Sequence, residues 1–254
     1  MSNFVINPYS FVAAVSYPDS LGTDGNLTSE SCISLNTSDE KFGDGCLEGD
    51  GDCNCYGDSG QNFLPDTYTA FTFGGWINPS EEATQYCGVL TNNDGNTNNF
   101  SGITTHAATK EFRCVVGDDG QNAHVRSTTT YSTGTWYNVL VVYDGSETGT
   151  DRVKLYVNGV EEGTADATAD SSYTVDTECF LFQQDGAQSS SRFNGLLDDW
   201  VVAKRAFSSS ECSDIGSGSG ALISSLDNKN GIVAYFPMDT LTSNTVVNQA
   251  LPVG

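Results

Sequence analysis

Positive charge is what this 254-residue chain most lacks. Ten Lys and Arg stand against 33 Asp and Glu, a formal net charge of −23. Such a surface repels nucleic-acid phosphate and anionic lipid, so neither nucleic acid nor a membrane is an expected partner. It favours cations, Ca²⁺ above all, or a basic protein surface; solubility in salty water, where self-repulsion is screened, is the simpler reading. Histidine is almost as scarce: His106 and His124 are the only two, and no pair of the eight cysteines forms a Cys-x-x-Cys motif. The usual zinc ligand sets are therefore missing. Neither histidine has a matching Ser or Cys nucleophile motif, and both read as exposed strand or loop residues. A phosphate-cradling glycine loop, a basic patch and long helical periodicity are absent as well.

The first twenty residues contain no positive side chain, the first lysine being Lys41. The apolar run FVAAV is too short for a signal-peptide core, and no stretch is long enough to span a bilayer. Yet eight cysteines, at 32, 46, 53, 55, 87, 114, 179 and 212, predict four disulfides in an oxidising setting. Two histories reconcile an extracellular style of sequence with a missing export signal. One is a trimmed secreted chain. The other is a virion protein, made in a reducing cytoplasm and oxidised after lysis.

What is present suits short strands and many turns. Hydrophobic residues make up 37% of the chain and aromatics 11%, enough for a sandwich core, and Thr, Ser, Gly, Asn and Asp abound. The most informative stretch is TGTWYNVLVVYDGSETGTDRVKLYVNGVEEG, residues 133–163. Trp136 to Tyr143 reads as a strand rich in β-branched and aromatic residues. Asp144-Gly145 ends it, and a polar loop leads to a second strand, VKLYV. Asn158-Gly159 then supplies the positive φ angles of a type I′ hairpin turn. A meander of this kind needs a second sheet to bury its apolar face.

These residues resemble the central signature of the laminin G-like, concanavalin A-like jelly-roll domains. FTFGGWINPS, from Phe71 to Ser80, is similar to the family's upstream Phe-Thr-x-x-x-Trp-x-x-Pro strand. RFNGLLDDWVVAKRAFSSSE, from Arg192 to Glu211, is similar to its Phe-x-Gly-x-Ile-Asp-Glu-Val-Arg strand and the short helical turn that follows. The resemblance covers about residues 40–212. It implies an all-β fold: a two-sheet antiparallel β-sandwich, a concanavalin A-like jelly roll. Further strands are expected at 71–78, 86–91, 100–106, 111–116, 123–130 and 193–202, with Phe11 to Tyr17 a weaker candidate. GSGSG at 216–220 reads as a flexible hinge. GIVAYFPMD, 231–239, reads as a returning C-terminal strand that completes the sheet beside the N-terminal segment. Ile232, Ala234 and Phe236 would share one of its faces. The whole of 1–254 is then one domain.

Superfolds do not decide function. Many relatives with this fold are glycan hydrolases, and the retaining ones hold their carboxylates about 5–5.5 Å apart on a Glu-x-Asp-x-x-Glu strand. That spacing is missing here. The adjacent pairs Glu81-Glu82 and Glu161-Glu162 point to opposite faces of a strand. Asp50, Asp52 and Asn54 alternate like the opening of a calcium loop, but Cys55 and Gln61 stand where an EF-hand needs Gly and Glu. A disulfide-pinned strand end is the simpler reading of that segment. Asp198 is the metal candidate, because it matches the Asp of the family's strand and there resembles a structural Ca²⁺ ligand. A backbone carbonyl near Gly45 is its expected partner. Alternatively Asp198 only accepts backbone N–H bonds at a strand crossing. Trp76, Trp136 and Trp200 read as core. The expectation is a non-enzymatic virion surface protein, a capsid decoration or fibre component, at the virion surface or outside the cell. Its partners would be other virion proteins or cell-surface glycan, with self-association into a homo-oligomer. A secreted lectin-like adhesin and a divergent glycan-active enzyme are the rival readings.

Overall fold

The computed structural model of the protein describes residues 27–29, 33–50, 57–58, 69–80, 86–93, 100–118, 121–166, 179–181, 193–221, 224, 226–241 and 245–246. The expected strand at 11–17, the acidic residues Asp52 and Asn54, and the Glu81-Glu82 pair lie outside them. In chain order the strands are β1 (Leu27–Ser29), β2 (Ile33–Asn36), β3 (Cys46–Asp50), β4 (Gly57–Asp58), β5 (Ala70–Pro79), β6 (Tyr86–Asn93), β7 (Phe100–His106) and β8 (Glu111–Asp118). After them come β9 (Gln121–Thr130), β10 (Tyr137–Asp144), β11 (Val153–Val157), β12 (Val160–Ala165), β13 (Cys179–Leu181), β14 (Asn194–Ala203), β15 (Ile232–Phe236) and β16 (Thr245–Val246). One α-helix, α1 (Ser209–Gly216), lies between β14 and β15.

The strands form two antiparallel sheets. The first runs β16-β1-β4-β13-β6-β7-β8-β9, and the second β12-β11-β10-β5-β14-β3-β2, with β15 also paired to β14. The β-sandwich expected from the sequence is therefore the observed fold. Asn158 and Gly159 take φ of 50° and 78°, which is the tight turn that dipeptide predicts between β11 and β12.

Alternation along the strands builds the core between the sheets. Phe71, Phe73 and Ile77 of β5, Val139 and Val141 of β10, and Trp200 and Val202 of β14 meet Ile103, Phe112 and Val125 from the facing sheet. Phe71 stacks on Tyr143 at 4.9 Å between ring centres, and Phe112 lies 5.2 Å from Tyr137. A second cluster covers the outer face of the β10-β5-β14 sheet. There Leu140, Val142, Tyr156 and Val201 pack against Phe207, Cys212 and Ile215 of the α1 region. Each such buried side chain contributes about 1.5–3 kcal/mol, which explains why β5, β10 and β14 read as nearly continuous apolar runs.

Sequence-derived details are corrected at four points. Helix α1 runs from Ser209 to Gly216, longer than the short helical turn expected after the strand. Ser208 caps it, accepting from the Glu211 N–H while Glu211 accepts from the Ser208 N–H. Arg205, left outside the helix, ties this start to the 228–230 segment: it pairs with both Glu211 carboxylate oxygens at 2.9 and 2.7 Å and donates to Asn230 O at 2.9 Å.

The glycine-serine stretch is not a free hinge where it begins. Gly216 is buried, and a Cβ there would come within 2.0 Å of Gly159 N. Glycine is required because the end of α1 touches the backbone of the β11–β12 turn.

The returning strand β15 pairs with β14, not with an N-terminal strand among the described residues. A bulge opposite Val202 and Ala203 gives β15 one extra residue, Val233. That extra residue breaks the simple alternation. Ala234 and Phe236 enter the inter-sheet core while Ile232 joins Tyr235 in the outer cluster.

Finally, Cys46, Cys114 and Cys212 are buried free thiols. Four disulfides are therefore excluded, since only five cysteines remain. Cys46 and Cys114 lie in different sheets and Cys212 on the helix, a separation that sequence spacing does not reveal.

A chain ending at Gly218 would lose Ala234, Phe236 and Met238 from the core and expose one side of β14. Such a truncation is expected to unfold or aggregate, read by circular dichroism and light scattering. A soluble, folded truncation would show that β15 is dispensable.

Candidate functional site

The site is built where β14 changes partners. Its first half, Asn194 to Leu197, pairs with β3, and its second half, Trp200 to Ala203, pairs with β15. On its other side it follows β5 throughout, with a register shift between Asp198 and Val201. Strands β3 and β15 thus lie end to end along one side of β14, and the junction falls at Asp198 and Asp199. Asp199 takes a φ of 55° there.

A junction of this kind leaves backbone N–H groups without ladder partners, and acidic side chains accept them. Asp198 Oδ2 accepts from the N–H groups of Lys41 and Phe42 at 2.9 and 3.0 Å. Asp239, just past β15, accepts from Asp44 N–H at 2.8 Å. Asp199 accepts a hydrogen bond from the Tyr235 hydroxyl. Segment 37–45 is thereby held over the outer face of the sheet. Gly43, at φ +69°, leaves room for the Asp239 carboxylate, which a Cβ would meet at 1.7 Å.

Asp198 is fully buried, and its Oδ1 has no hydrogen-bond partner. Burial raises its pKa to about 8; the Phe42 N–H opposes that shift, while Asp199 and Asp239 add to it. Glu40 Oε2 is a second buried oxygen without a partner. Both carboxylates push up the Cys46 thiol, whose pKa reaches about 12 through burial first and then Asp198 and Glu40. Each orphan atom is a hard oxygen of the kind that Ca²⁺ takes six to eight of. Among the described residues no group of three or more His, Cys, Asp and Glu side chains could hold a metal ion, so backbone carbonyls and water would complete the shell. The peptide groups touching Asp198 are those of Lys41 and Phe42, while Gly45 packs against Leu35 and Asp239.

The tryptophans divide. Trp200 is core, its Nε1 donating to Trp76 O at 3.3 Å. Trp76 is buried on the outer face under Phe42 and Lys41, whose ammonium lies 4.3 Å above the indole. Trp136 corrects the expectation of a third core residue. It is half-buried, and its Nε1 donates to Asp39 O at 3.0 Å, pinning the start of the same segment.

The adjacent pair Glu161-Glu162 has two separate duties. Glu161 accepts from the Tyr156 hydroxyl at 3.1 Å, beside the helix. Glu162 reaches the other sheet, accepting from Thr128 and Thr129 N–H at 2.7 and 2.6 Å and from both threonine hydroxyls. Burial alone would raise the Glu162 pKa, but the Thr129 and Thr128 bonds outweigh it and leave it lowered. Register explains why sequence reasoning missed this clamp. Glu162 is the extra residue of a bulge opposite Leu155 and Tyr156, at the seam where β12 meets β9.

The fold and site together define a lectin-like jelly-roll domain. The chain belongs to the concanavalin A-like lectin/glucanases superfamily, whose laminin G-like profile matches residues 54–213. Among curated proteins none matches the sequence. Domain 4 of AbnA, an extracellular GH43 arabinanase of Geobacillus stearothermophilus, is similar in structure, with 18% identity and a TM-score of 0.55 over 74% of this chain and 85% of that one. A putative carbohydrate binding protein of Bacteroides ovatus gives 15% identity and a TM-score of 0.57, covering 88% of this chain and 55% of that one. The heptameric SAP-like pentraxin of Limulus polyphemus gives 19% identity and a TM-score of 0.50 over 62% and 73%. At these identities the likeness is one of fold.

The Asp198 proton has a readable consequence in metal-free protein. Its folded pKa of about 8 lies above the unfolded value near 3.9. Between about pH 4 and 8 the native state holds a proton that the unfolded chain releases, so stability falls as pH rises through that window, by at most about 1.4 kcal/mol per pH unit. In chelator, Asp198→Asn is expected to flatten this decline relative to the parent, measured by chemical denaturation. Parallel curves for the two proteins would refute it.

Proposed function

We propose that the protein is a non-catalytic, lectin-like binding module of a virion surface, a capsid decoration or fibre component. The observation that carries the non-catalytic reading is the engagement of its acidic groups. Asp198, Asp199 and Asp239 each secure the β3–β15 junction, Glu162 clamps the two sheets, and Glu211 caps α1 against Arg205. A glycosidase needs two carboxyl groups facing one open cleft, whereas these face backbone N–H groups, hydroxyls and a guanidinium. Asp198, with Glu40, is further proposed to bind a structural Ca²⁺, which would neutralise two buried oxygens without partners and fasten segment 37–45.

The three buried free thiols favour the virion reading over that of a secreted adhesin. Burial raises Cys46, Cys114 and Cys212 each to about 12, so all three stay protonated and unreactive. A chain that folds in a reducing cytoplasm, as virion proteins do, can keep such thiols; one folded during export risks mispairing them. The adhesin reading draws support from the carbohydrate binding protein of Bacteroides ovatus, which shares the fold. Either setting leaves glycans, or neighbouring proteins of the same particle, as the partners.

Thiol labelling followed by mass spectrometry checks the compartment. Cys46, Cys114 and Cys212 are expected to resist iodoacetamide in the folded protein and to react fully once it is unfolded without reductant. Finding any of them in a disulfide would contradict the reading. The same preparation should hydrolyse β-glucans, agars, carrageenans and alginates no faster than a protein-free control. Sustained turnover lost on changing one acidic residue would make it an enzyme.

A further inference from the structure

Three Asn-Gly dipeptides occur in the chain, at 158–159, 194–195 and 230–231. A glycine after asparagine leaves its backbone nitrogen open to attack the asparagine side chain, since no Cβ shields it. The three are alike in sequence, and packing makes them unlike. Asn158 Oδ1 is tied to the Asn138 N–H at 2.9 Å, and Asn158 N–H donates to Asn138 O at 2.8 Å. Gly216 lies directly against the Gly159 nitrogen, so α1 covers the atom that would react. Asn194 and Gly195 sit inside β14, paired to β3, with Gly195 paired to β5 on the other side. A Cβ at Gly195 would come within 2.3 Å of Asn78 O, which leaves no room for a new ring there.

Asn230-Gly231 has neither guard. Asn230 is exposed, and its side-chain amide bonds no other described residue. The turn is loose, Ile232 N–H reaching Lys229 O only at 3.4 Å. Apart from chain neighbours, the nearest atom to a Cβ placed on Gly231 would be Arg205 Cγ, at 3.6 Å. Arg205 does grip the peptide between the two residues: its Nε donates to Asn230 O at 2.9 Å, while its Nη2 donates to Asn228 O. That Asn230 oxygen shares a peptide group with the Gly231 nitrogen. When the nitrogen loses its proton, most of the negative charge moves onto the oxygen, where a guanidinium already donates. A donor aimed at developing charge lowers the barrier to the step that creates it. Glu211, paired with the same guanidinium at 2.9 and 2.7 Å, offsets part of its charge.

We propose that Asn230-Gly231 is a self-modification site, where Asn230 passes through a succinimide to isoaspartate and aspartate, with Arg205 promoting the ring closure. Hydroxide takes the Gly231 N–H proton, and the nitrogen attacks Asn230 Cγ. A new bond forms from Cγ to that nitrogen, the bond to the side-chain nitrogen breaks, and ammonia leaves with a proton from water. Water then opens the ring at either carbonyl carbon. Cleavage at the main-chain carbonyl gives isoaspartate, and cleavage at Cγ gives aspartate. In sum a water is consumed, an ammonia is released and nothing is oxidised. Arg205 polarises the main-chain carbonyl, which favours isoaspartate, and the new α-carboxylate forms where Asn230 O already accepts from Arg205. The chain thereby gains a negative charge and a main-chain methylene just before β15.

Peptide mapping by mass spectrometry, with enzymatic labelling of isoaspartate, tests this on the full chain kept in alkaline buffer, either folded or in urea. In urea the three sites should react at similar rates. In the folded protein Asn158 and Asn194 should slow by about tenfold or more, because each must wait for a local opening. Asn230 should keep or exceed its unfolded rate and yield mainly isoaspartate. Arg205→Gln removes the charge at the reacting peptide and should slow Asn230 about tenfold. A purely structural Arg205 predicts the opposite, a loosened turn that reacts faster. Should that variant fail to fold, the folded-to-unfolded rate ratio at Asn230 in the parent decides alone. Protection of Asn230 to the degree of the other two sites would overturn the proposal. So would equal rates at all three in the folded chain, or unchanged or faster ageing in folded Arg205→Gln.

Discussion

One buried carboxylate sits where this sandwich is most exposed to failure. Strand β14 is the spine of its sheet, yet it is longer than either strand on its β3 side, so β3 and β15 must share that side end to end. The junction falls on Asp198 and Asp199, where a register shift and a positive φ interrupt the ladder. The orphaned peptide groups of segment 37–45 are then satisfied by Asp198, with Asp239 acting in the same way from the far side. Burying this carboxyl with one unmatched oxygen is costly, so it keeps its proton to about pH 8, and the cost is tolerable because the alternative is a set of unsatisfied N–H groups in the same place. Proton and segment position are therefore linked at this one residue.

Other features follow from this constraint. Segment 37–45, once secured, brings Lys41 and Phe42 over Trp76 and lets Asp39 receive the Trp136 indole. The remainder of that outer face is closed by α1, whose approach to the β11–β12 turn needs glycine on both sides, at Gly159 and Gly216. At the opposite border the two sheets are joined by Glu162. The acidic composition thus has a partly structural meaning: several carboxylates do the work of missing ladder partners, in a chain with few lysines and arginines to do otherwise.

Much of this was legible in the sequence where alternation and turn chemistry act over short range. The β5, β10, β11 and β14 segments and the Asn158-Gly159 turn are of that kind, and Asp198 stood out because its strand resembles a family motif. What remained hidden depends on register. Asp199, Glu162 and Val233 all lie at bulges, where one extra residue changes which face a side chain occupies, and no local pattern announces the insertion. Strands β1, β4 and β16 are two or three residues long and carry no period to read. Cysteine count suggested disulfides, but pairing depends on distances between strands far apart in sequence.

Amide hydrogen exchange at Lys41 and Phe42 tests most directly the claim that Asp198 holds segment 37–45 in place. In the parent protein both amides should exchange slowly, since each donates to a buried oxygen, and in Asp198→Ala they should exchange far faster while the amides of β10 and β11 stay protected. Unchanged protection at Lys41 and Phe42 in the variant would show that the segment is held by other contacts, and the central role given to this carboxylate would be wrong.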